Sequence, residues 1–137
     1  MAYIYEDGEP TDFRLTFDIK NYTEVKRSDD QHVDVDIIIE NRDFTYKTTA
    51  SIDDFELEDL ARTFLRFRNG EIKEFYEWDH IEGDVNFLFV PSMNEVYLKV
   101  FYGYPGTHMS GFFIDLYDED EYMRFYDYLR SVISQCE

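Results

Sequence analysis

The segment from Ser51 to Gly70 is the clearest helix in the sequence, and it separates two regions that both have the pattern of strands. Its apolar residues recur at positions i, i+3, i+4, i+7 and i+8, which places them along one face of a helix. These residues are Leu57, Leu60, Ala61, Phe64 and Leu65. Ser51 and Asp54 have the spacing of an N-terminal capping pair, and Asn69-Gly70 supplies a left-handed stop. We therefore expect one helix over this segment, with its apolar face in the core.

Three strand-like stretches precede this helix. In residues 13–20 and 32–39, apolar side chains occupy every second position, which is the period of a strand with one buried face. Their predicted inward residues are Phe13, Leu15, Phe17, Ile19, Val33, Val35, Ile37 and Ile39. A third stretch runs from Phe44 to Ala50. Because the connections are short, we expect an antiparallel meander. Residues 1–12 are either an edge strand or a disordered start.

Four more predicted strands follow the helix, at residues 71–79, 84–90, 95–104 and 110–117. The chain then closes with a second helix, which begins near Asp118, a residue that can cap it. Its predicted buried stripe contains Tyr122, Phe125, Tyr126, Leu129, Val132 and Ile133. The element order is therefore βββ-α-ββββ-α. We predict that residues 1–137 form a single α+β domain, in which an antiparallel, curved sheet of about six or seven strands carries two helices.

The chain is both strongly acidic and strongly aromatic. It carries 31 acidic residues against 13 basic ones, for a net charge of -18, and aromatic residues make up 19% of it. Because disordered acidic segments are poor in aromatic residues, this composition indicates a folded domain. Its negative field repels nucleic acids and anionic membranes but attracts basic proteins. We therefore expect no nucleic-acid or membrane partner, although the charge is equally compatible with solubility alone.

Other features of the sequence predict a cytoplasmic location. Cys136 is the single cysteine, so no internal disulfide can form. The first ten residues have no basic region followed by an apolar one, as a secretory signal would. No apolar run approaches the roughly 20 residues that a membrane-spanning helix requires.

No residue pattern points to catalysis or to metal binding. The histidines His32, His80 and His108 are far apart in the sequence, and no HxxxH, HExxH or CxxC motif is present. Cys136 has no neighbouring histidine that could activate it. The glycine-containing segment 103–106 lacks the lysine of a phosphate-binding loop. We therefore predict a protein that is not an enzyme and that has no cofactor and no metal.

Acidic residues are concentrated in two clusters, residues 53–59 and 115–121, each at a predicted helix N-terminus. Helix caps and the helix dipole favour acids there, and neither cluster has the spacing of a calcium loop. The surplus of acids also suits a surface that binds a basic protein. Residues 71–79 are a different mixture, in which acids are interleaved with aromatic residues as in a protein interface, and Trp78 is either an interface anchor or a core residue. The predicted partner-binding residues are Asp53, Asp54, Glu56, Glu58, Asp59, Glu74, Tyr76, Glu77, Trp78, Asp79, Asp118, Glu119, Asp120 and Glu121.

A pattern of apolar residues and element order extends over most of the chain. It consists of a strand from Val33 to Ile39, a helix with Leu60, Phe64, Leu65 and the stop Asn69-Gly70, then Phe75, the strand pair Val85–Phe89 and Val96–Phe101, and Phe112-Phe113-Ile114-Asp115 before a helix with Tyr122, Phe125 and Leu129. Over residues 13–135 this pattern resembles the small WapI-type immunity proteins of bacterial polymorphic toxin systems. The resemblance implies an acidic, cytosolic protein that blocks a cognate toxin domain, commonly a nuclease. It transfers no catalytic or binding residue to this chain.

These observations together predict a non-catalytic immunity protein of antitoxin type, which binds and neutralises a cognate basic toxin domain. Its acidic side chains would occupy the places that the phosphates of a substrate take in a nuclease active site. The alternative from another functional class is a small-molecule-binding module, in which aromatic residues of the curved sheet line a pocket.

Overall fold

The computed structural model describes residues 2–7, 12–28, 32–79, 85–102, 110–116 and 118–135. Within these ranges the backbone forms eight strands and three helices. The strands are β1 (Tyr3–Asp7), β2 (Phe13–Ile19), β3 (His32–Glu40), β4 (Thr45–Asp53), β5 (Tyr76–Trp78), β6 (Val85–Val90), β7 (Glu95–Tyr102) and β8 (Ser110–Leu116). The helices are α1 (Tyr22–Lys26), α2 (Asp54–Arg68) and α3 (Glu119–Ser134).

The described strands form two four-stranded antiparallel sheets, with the orders β1-β2-β3-β4 and β5-β6-β7-β8. Each half of the chain is therefore a four-stranded meander followed by a long helix, and the short helix α1 lies between β2 and β3. The α+β class is confirmed. The prediction of one curved sheet with two helices is matched only roughly, because the described strands divide into two separate sheets and a third, short helix, α1, is present. Of the first twelve residues, Tyr3–Asp7 form an edge strand.

The strand alternation predicted for the first sheet is confirmed. Side chains of β2 and β3 at every second position are buried, and only Phe13 among the predicted inward residues is partly exposed. Opposite them, Ala50 and Ile52 of β4 are also buried and pair with Val35 and Val33. Because Ile52 is buried in the same way as Ala50, β4 extends beyond the predicted end at Ala50 as far as Asp53.

Because β4 continues to Asp53, helix α2 begins at Asp54 and not at Ser51. Ser51 lies within β4, opposite Asp34, and the capping residue Asp53 makes no capping hydrogen bond through its side chain. The predicted capping pair of Ser51 and Asp54 is therefore wrong. At α3 the predicted cap is confirmed, since the Asp118 carboxylate accepts a hydrogen bond from the Glu121 N–H at 2.8 Å.

The two long helices lie against each other and against both sheets. Two predicted stripe residues are more exposed than expected: Leu65 is 36% exposed and Tyr126 is partly exposed. In their place, Phe67 packs on Phe89 and Tyr122, and the hydroxyl of Tyr128 accepts a hydrogen bond from the Ile19 N–H at 2.8 Å. Burial raises the pKa of Tyr128 to about 12 because it disfavours the phenolate, and the hydrogen bond from the Ile19 N–H opposes this shift only in part.

Four aromatic rings, one from each of four elements, form the centre of the core. They belong to Phe17 of β2, Phe64 of α2, Phe87 of β6 and Phe125 of α3, and all four are almost fully buried. The Phe125 ring lies 5.1 Å from Phe17, 5.3 Å from Phe64 and 5.3 Å from Phe87, measured between centroids. This four-ring cluster joins both sheets to both long helices.

The predicted stop at the end of α2 is confirmed, and Gly70 supplies its left-handed residue with φ of 76°. The Gly70 N–H donates to the Phe67 carbonyl at 3.1 Å, and the Glu71 N–H donates to the Arg66 carbonyl at 2.9 Å. This pair of bonds is a Schellman motif, which satisfies the last carbonyls of the helix and reverses the chain.

We expect Gly70→Ala to lower the free energy of unfolding by about 1 kcal/mol, because a residue with a Cβ is strained at positive φ. The space itself is open, since the nearest neighbour of an added Cβ would be the Lys73 ammonium at 3.9 Å. Urea denaturation measures the change. Asn69→Ala is the matched control, because Asn69 has φ of -80° and accepts alanine without strain. Equal losses in both variants would contradict the proposed origin of the effect.

Candidate partner-binding surface

Side chains in the first acidic cluster, residues 53–59, mostly have partners within the fold. Lys26 of α1 lies 3.1 Å from the Asp54 carboxylate and 3.2 Å from that of Glu58. The hydroxyl of Tyr22 also donates to Glu58 at 2.9 Å. These contacts attach the short helix α1 to the first turns of α2. Asp54 and Glu58 therefore help to hold α1 in place.

Trp78 is a core residue, which settles the two alternatives left open by the sequence. Its side chain is 0% exposed, and its indole N–H donates to the Asp59 carboxylate at 2.9 Å. Arg62 lies 3.6 Å from the other oxygen of Asp59. At the start of the cluster, Asp53 lies 3.4 Å from the His32 imidazole. Glu56 is partly exposed on the same turns.

We expect Asp59→Ala to lower the free energy of unfolding by about 1–3 kcal/mol, because it removes the acceptor of a buried indole N–H. Asp59→Asn keeps an acceptor oxygen and should lose less. Urea denaturation followed by the fluorescence of the single tryptophan measures both variants. If alanine and asparagine were equally destabilising, the loss would come from the charge and not from the hydrogen bond.

The second acidic cluster, residues 115–121, is also partly engaged within the fold. Glu121 accepts a hydrogen bond from the Tyr3 hydroxyl at 2.8 Å and lies 2.8 Å from Arg124, which in turn donates to the Ile4 carbonyl at 2.6 Å. These contacts hold β1 against α3, and burial raises the pKa of Tyr3. Glu119 lies 3.9 Å from Arg68. Asp120 and the capping residue Asp118 are exposed.

Residues 71–79 differ from both clusters, because here the structure exposes aromatic rings next to acids. Phe75 is 61% exposed and Tyr76 is 39% exposed, while Glu74 and Asp79 are exposed beside them. Residues 71–75 form no strand, although the sequence predicted one over the whole segment. The prediction was wrong there because the Schellman turn directs the chain away from α2 before β5 begins.

An open recess of about 460 Å³ lies at this turn. We call it the Phe75 recess, and its lining residues are Arg66, Glu71, Ile72, Lys73, Glu74, Phe75 and Tyr76. Two features of the backbone position the two ends of this lining. The Glu71 N–H is bonded to the Arg66 carbonyl, and Tyr76 in β5 pairs with Phe89 of β6, with 6.3 Å between ring centroids.

Glu77 is anchored on the adjoining sheet surface. Its carboxylate accepts a hydrogen bond from the Asn86 amide at 2.8 Å and lies 3.5 Å from Lys99. Of the predicted partner-binding residues in this segment, Glu74, Tyr76, Glu77 and Asp79 are exposed, whereas Trp78 is buried. Phe75 was left out of the predicted surface, because the sequence pattern was equally compatible with a core position. Its odd-numbered place among even-numbered aromatic residues was the available signal.

Elsewhere on the second sheet, Asp115 has an unsatisfied carboxylate oxygen. Its Oδ1 atom is buried and has no hydrogen-bond partner in the described part of the chain. Burial, followed by the negative charge of Glu95, raises the pKa of Asp115 above its ordinary value. Across the ladder, Tyr97 donates a hydrogen bond to Glu95 rather than to Asp115.

We expect Asp115→Asn to stabilise the protein at neutral pH, because a raised pKa means that the folded state binds a proton at Asp115 more tightly than the unfolded state. Above the folded-state pKa, the charge on Asp115 therefore lowers the free energy of unfolding. This loss is recovered as the pH falls towards the pKa of Asp115 in the unfolded state, which is near 3.8. Urea denaturation at pH 7 and pH 4 should show the gain at pH 7 and little at pH 4. Asp120→Asn, at an exposed site, controls for the general relief of negative charge. A gain independent of pH would contradict the explanation.

Several predicted features lie outside the described residues, namely His80, His108, Cys136 and residues 103–109. Among the described residues, no group of three or more histidine, cysteine, aspartate or glutamate side chains is arranged to hold a metal ion. Over the same ranges, no helix combines the length and the apolar character needed to cross a membrane. Comparisons with protein-family models, with curated proteins and with solved structures gave no significant match.

Proposed function

We propose that this chain is a non-catalytic, acidic inhibitor of antitoxin type, and that it binds a cationic toxin domain, such as a nuclease, through the Phe75 recess and the acids around it. The exposure of Phe75 carries the proposal. A phenylalanine ring that is 61% exposed, with a partly exposed tyrosine beside it, leaves apolar area in contact with water. Burying that area against a partner is favourable, and aromatic anchors surrounded by charges are typical of protein interfaces.

The distribution of charges supports the same location. Asp54, Glu58, Asp59 and Glu121 are held by partners within the fold. By contrast, Glu71, Glu74 and Asp79 are exposed, and within the described residues they form no ion pair or side-chain hydrogen bond. The charge of such acids is not compensated by a neighbouring cation and can attract an approaching basic surface. With a net charge of -18 behind them, they would speed the encounter and make it sensitive to salt.

The small-molecule alternative has less support. The aromatic rings on the inward faces of the strands, such as Phe87 and Phe89, are 0% exposed and pack against rings of the helices. These rings therefore fill the core. Nothing in their packing favours a ligand cavity between the sheets.

We expect the product of the gene immediately upstream to be toxic when expressed alone and harmless when expressed with this protein. The purified pair should form a one-to-one complex that weakens as salt rises, because screening reduces the attraction between exposed charges. Survival, co-elution and calorimetry at low and high salt measure these outcomes.

Variants then locate the interface. Phe75→Ser should weaken the complex by about 1–3 kcal/mol through lost apolar contact, and Glu74→Lys should weaken it most at low salt. Phe55→Ser is the matched control, because Phe55 is 49% exposed and lies at the opposite end of α2. Loss of binding in Phe55→Ser alone would move the interface to the first acidic cluster. No toxicity and no complex would contradict the proposed function.

A further inference from the structure

The Phe75 recess contains two positive charges that form no ion pair with the described residues. In this chain acids outnumber bases by 31 to 13, and most basic side chains in the described residues lie within 4.0 Å of a carboxylate. Arg66 and Lys73 lie in no such pair within the described part of the chain, although Glu71 and Glu74 line the same recess. The basic residues that share this property are Arg27 and Lys47, which do not line it.

The position of these cations is only partly explained by the helix. A positive charge in the last turn of α2 is stabilised by the helix dipole, and this accounts for Arg66 and Arg68. Lys73 lies beyond the end of the helix, and its ammonium folds back over Gly70 into the recess. The dipole does not require a second cation there.

The apolar lining completes the chemistry of the site. Ile72, Phe75 and Tyr76 line the recess together with Arg66 and Lys73. Two unpaired cations beside exposed aromatic rings are complementary to a carboxylate that lies next to an apolar group. A polyanion such as a nucleic acid is disfavoured by the net charge of -18, whereas a single carboxylate on an otherwise basic protein is not.

We propose that the Phe75 recess binds an acidic side chain of the partner protein, flanked by an apolar residue of the same partner. This inference rests on the proposed function for the identity of the partner. It deepens that function, because the partner must then combine a basic surface with one embedded carboxylate. A basic protein without that carboxylate would leave Arg66 and Lys73 facing positive charge, so the recess would also reject wrong partners.

The chemistry of the recess can be tested without the partner. Three blocked tripeptides serve as probes, with glutamate, glutamine or lysine between leucine and phenylalanine. Each is titrated into the isotope-labelled full chain at physiological salt, and the backbone amide and arginine side-chain signals of residues 66–76 are followed by NMR. We expect the glutamate peptide to shift these signals saturably and to bind roughly three to ten times more tightly than the glutamine peptide, the gain of two exposed ion pairs. The lysine peptide should be the weakest at this site.

Variants in which glutamine replaces the basic residues test whether Arg66 and Lys73 cause the preference for the glutamate peptide. A double variant with Arg66→Gln and Lys73→Gln should lose the preference for glutamate over glutamine, and its unshifted core signals would show that it is folded. The matched control carries Arg27→Gln and Lys47→Gln, which removes the same charge at two cations that also form no ion pair with the described residues, and it should leave the preference intact.

The proposal is overturned if glutamate and glutamine peptides bind residues 66–76 equally, if none of the peptides shifts these signals, or if the preference survives in the first double variant. These results are independent of toxin binding. A glutamate preference without any toxin complex would reject the proposed function alone, whereas a toxin complex without the preference would reject this inference alone.

Discussion

Packing of the four-ring cluster is the interaction on which the rest of the structure depends. Phe125 lies within 5.3 Å of Phe17, Phe64 and Phe87, so a single ring of α3 contacts both sheets and the other long helix. The contact with Phe17 is edge-to-face and the other two are tilted. Such aromatic contacts add to the burial of the rings, and truncation of such a ring to alanine costs about 3–5 kcal/mol. The two halves of the chain, each a meander followed by a helix, are joined here, since no described strand of one sheet pairs with a strand of the other.

The position of the candidate surface follows from this packing. With Phe64 and Phe67 inward, helix α2 lies across the core and its last turn reaches the surface, where Gly70 reverses the chain. Trp78 is drawn inward against Phe87 and Asp59, which fixes the direction of β5. Residues 71–75 must then bridge the helix end and β5 in a path that forms no strand, and Phe75 is left outside. The exposure of the Phe75 ring is thus a consequence of the packing of α2 on one side of it and of Trp78 on the other side in the sequence.

Periodicity predicted the parts of the fold in which burial alternates regularly. Every second residue of β3 is buried, as predicted, and α3 begins at its predicted cap. The start of α2 was predicted wrongly because the local capping signal of Ser51 competes with the burial of Ile52, and burial decides. The division into two sheets and the exposure of Leu65 depend on contacts between residues far apart in the chain, which no local pattern encodes. For the same reason, the sequence does not show that the Phe75 side chain is exposed and the Trp78 side chain is buried.

Charge alone is a poor guide to where an acidic protein binds its partner. The richest acidic clusters of this chain are also the places where carboxylates accept hydrogen bonds from Tyr3, Tyr22 and Trp78. These acids are held in position by the fold, and their charge is partly balanced by nearby lysine and arginine side chains. Residues 71–79 have fewer acids, but theirs are exposed beside aromatic rings. Since affinity comes from a few desolvated anchors and exposed charges contribute mostly to the rate of encounter, the sparser cluster is the better candidate for the interface.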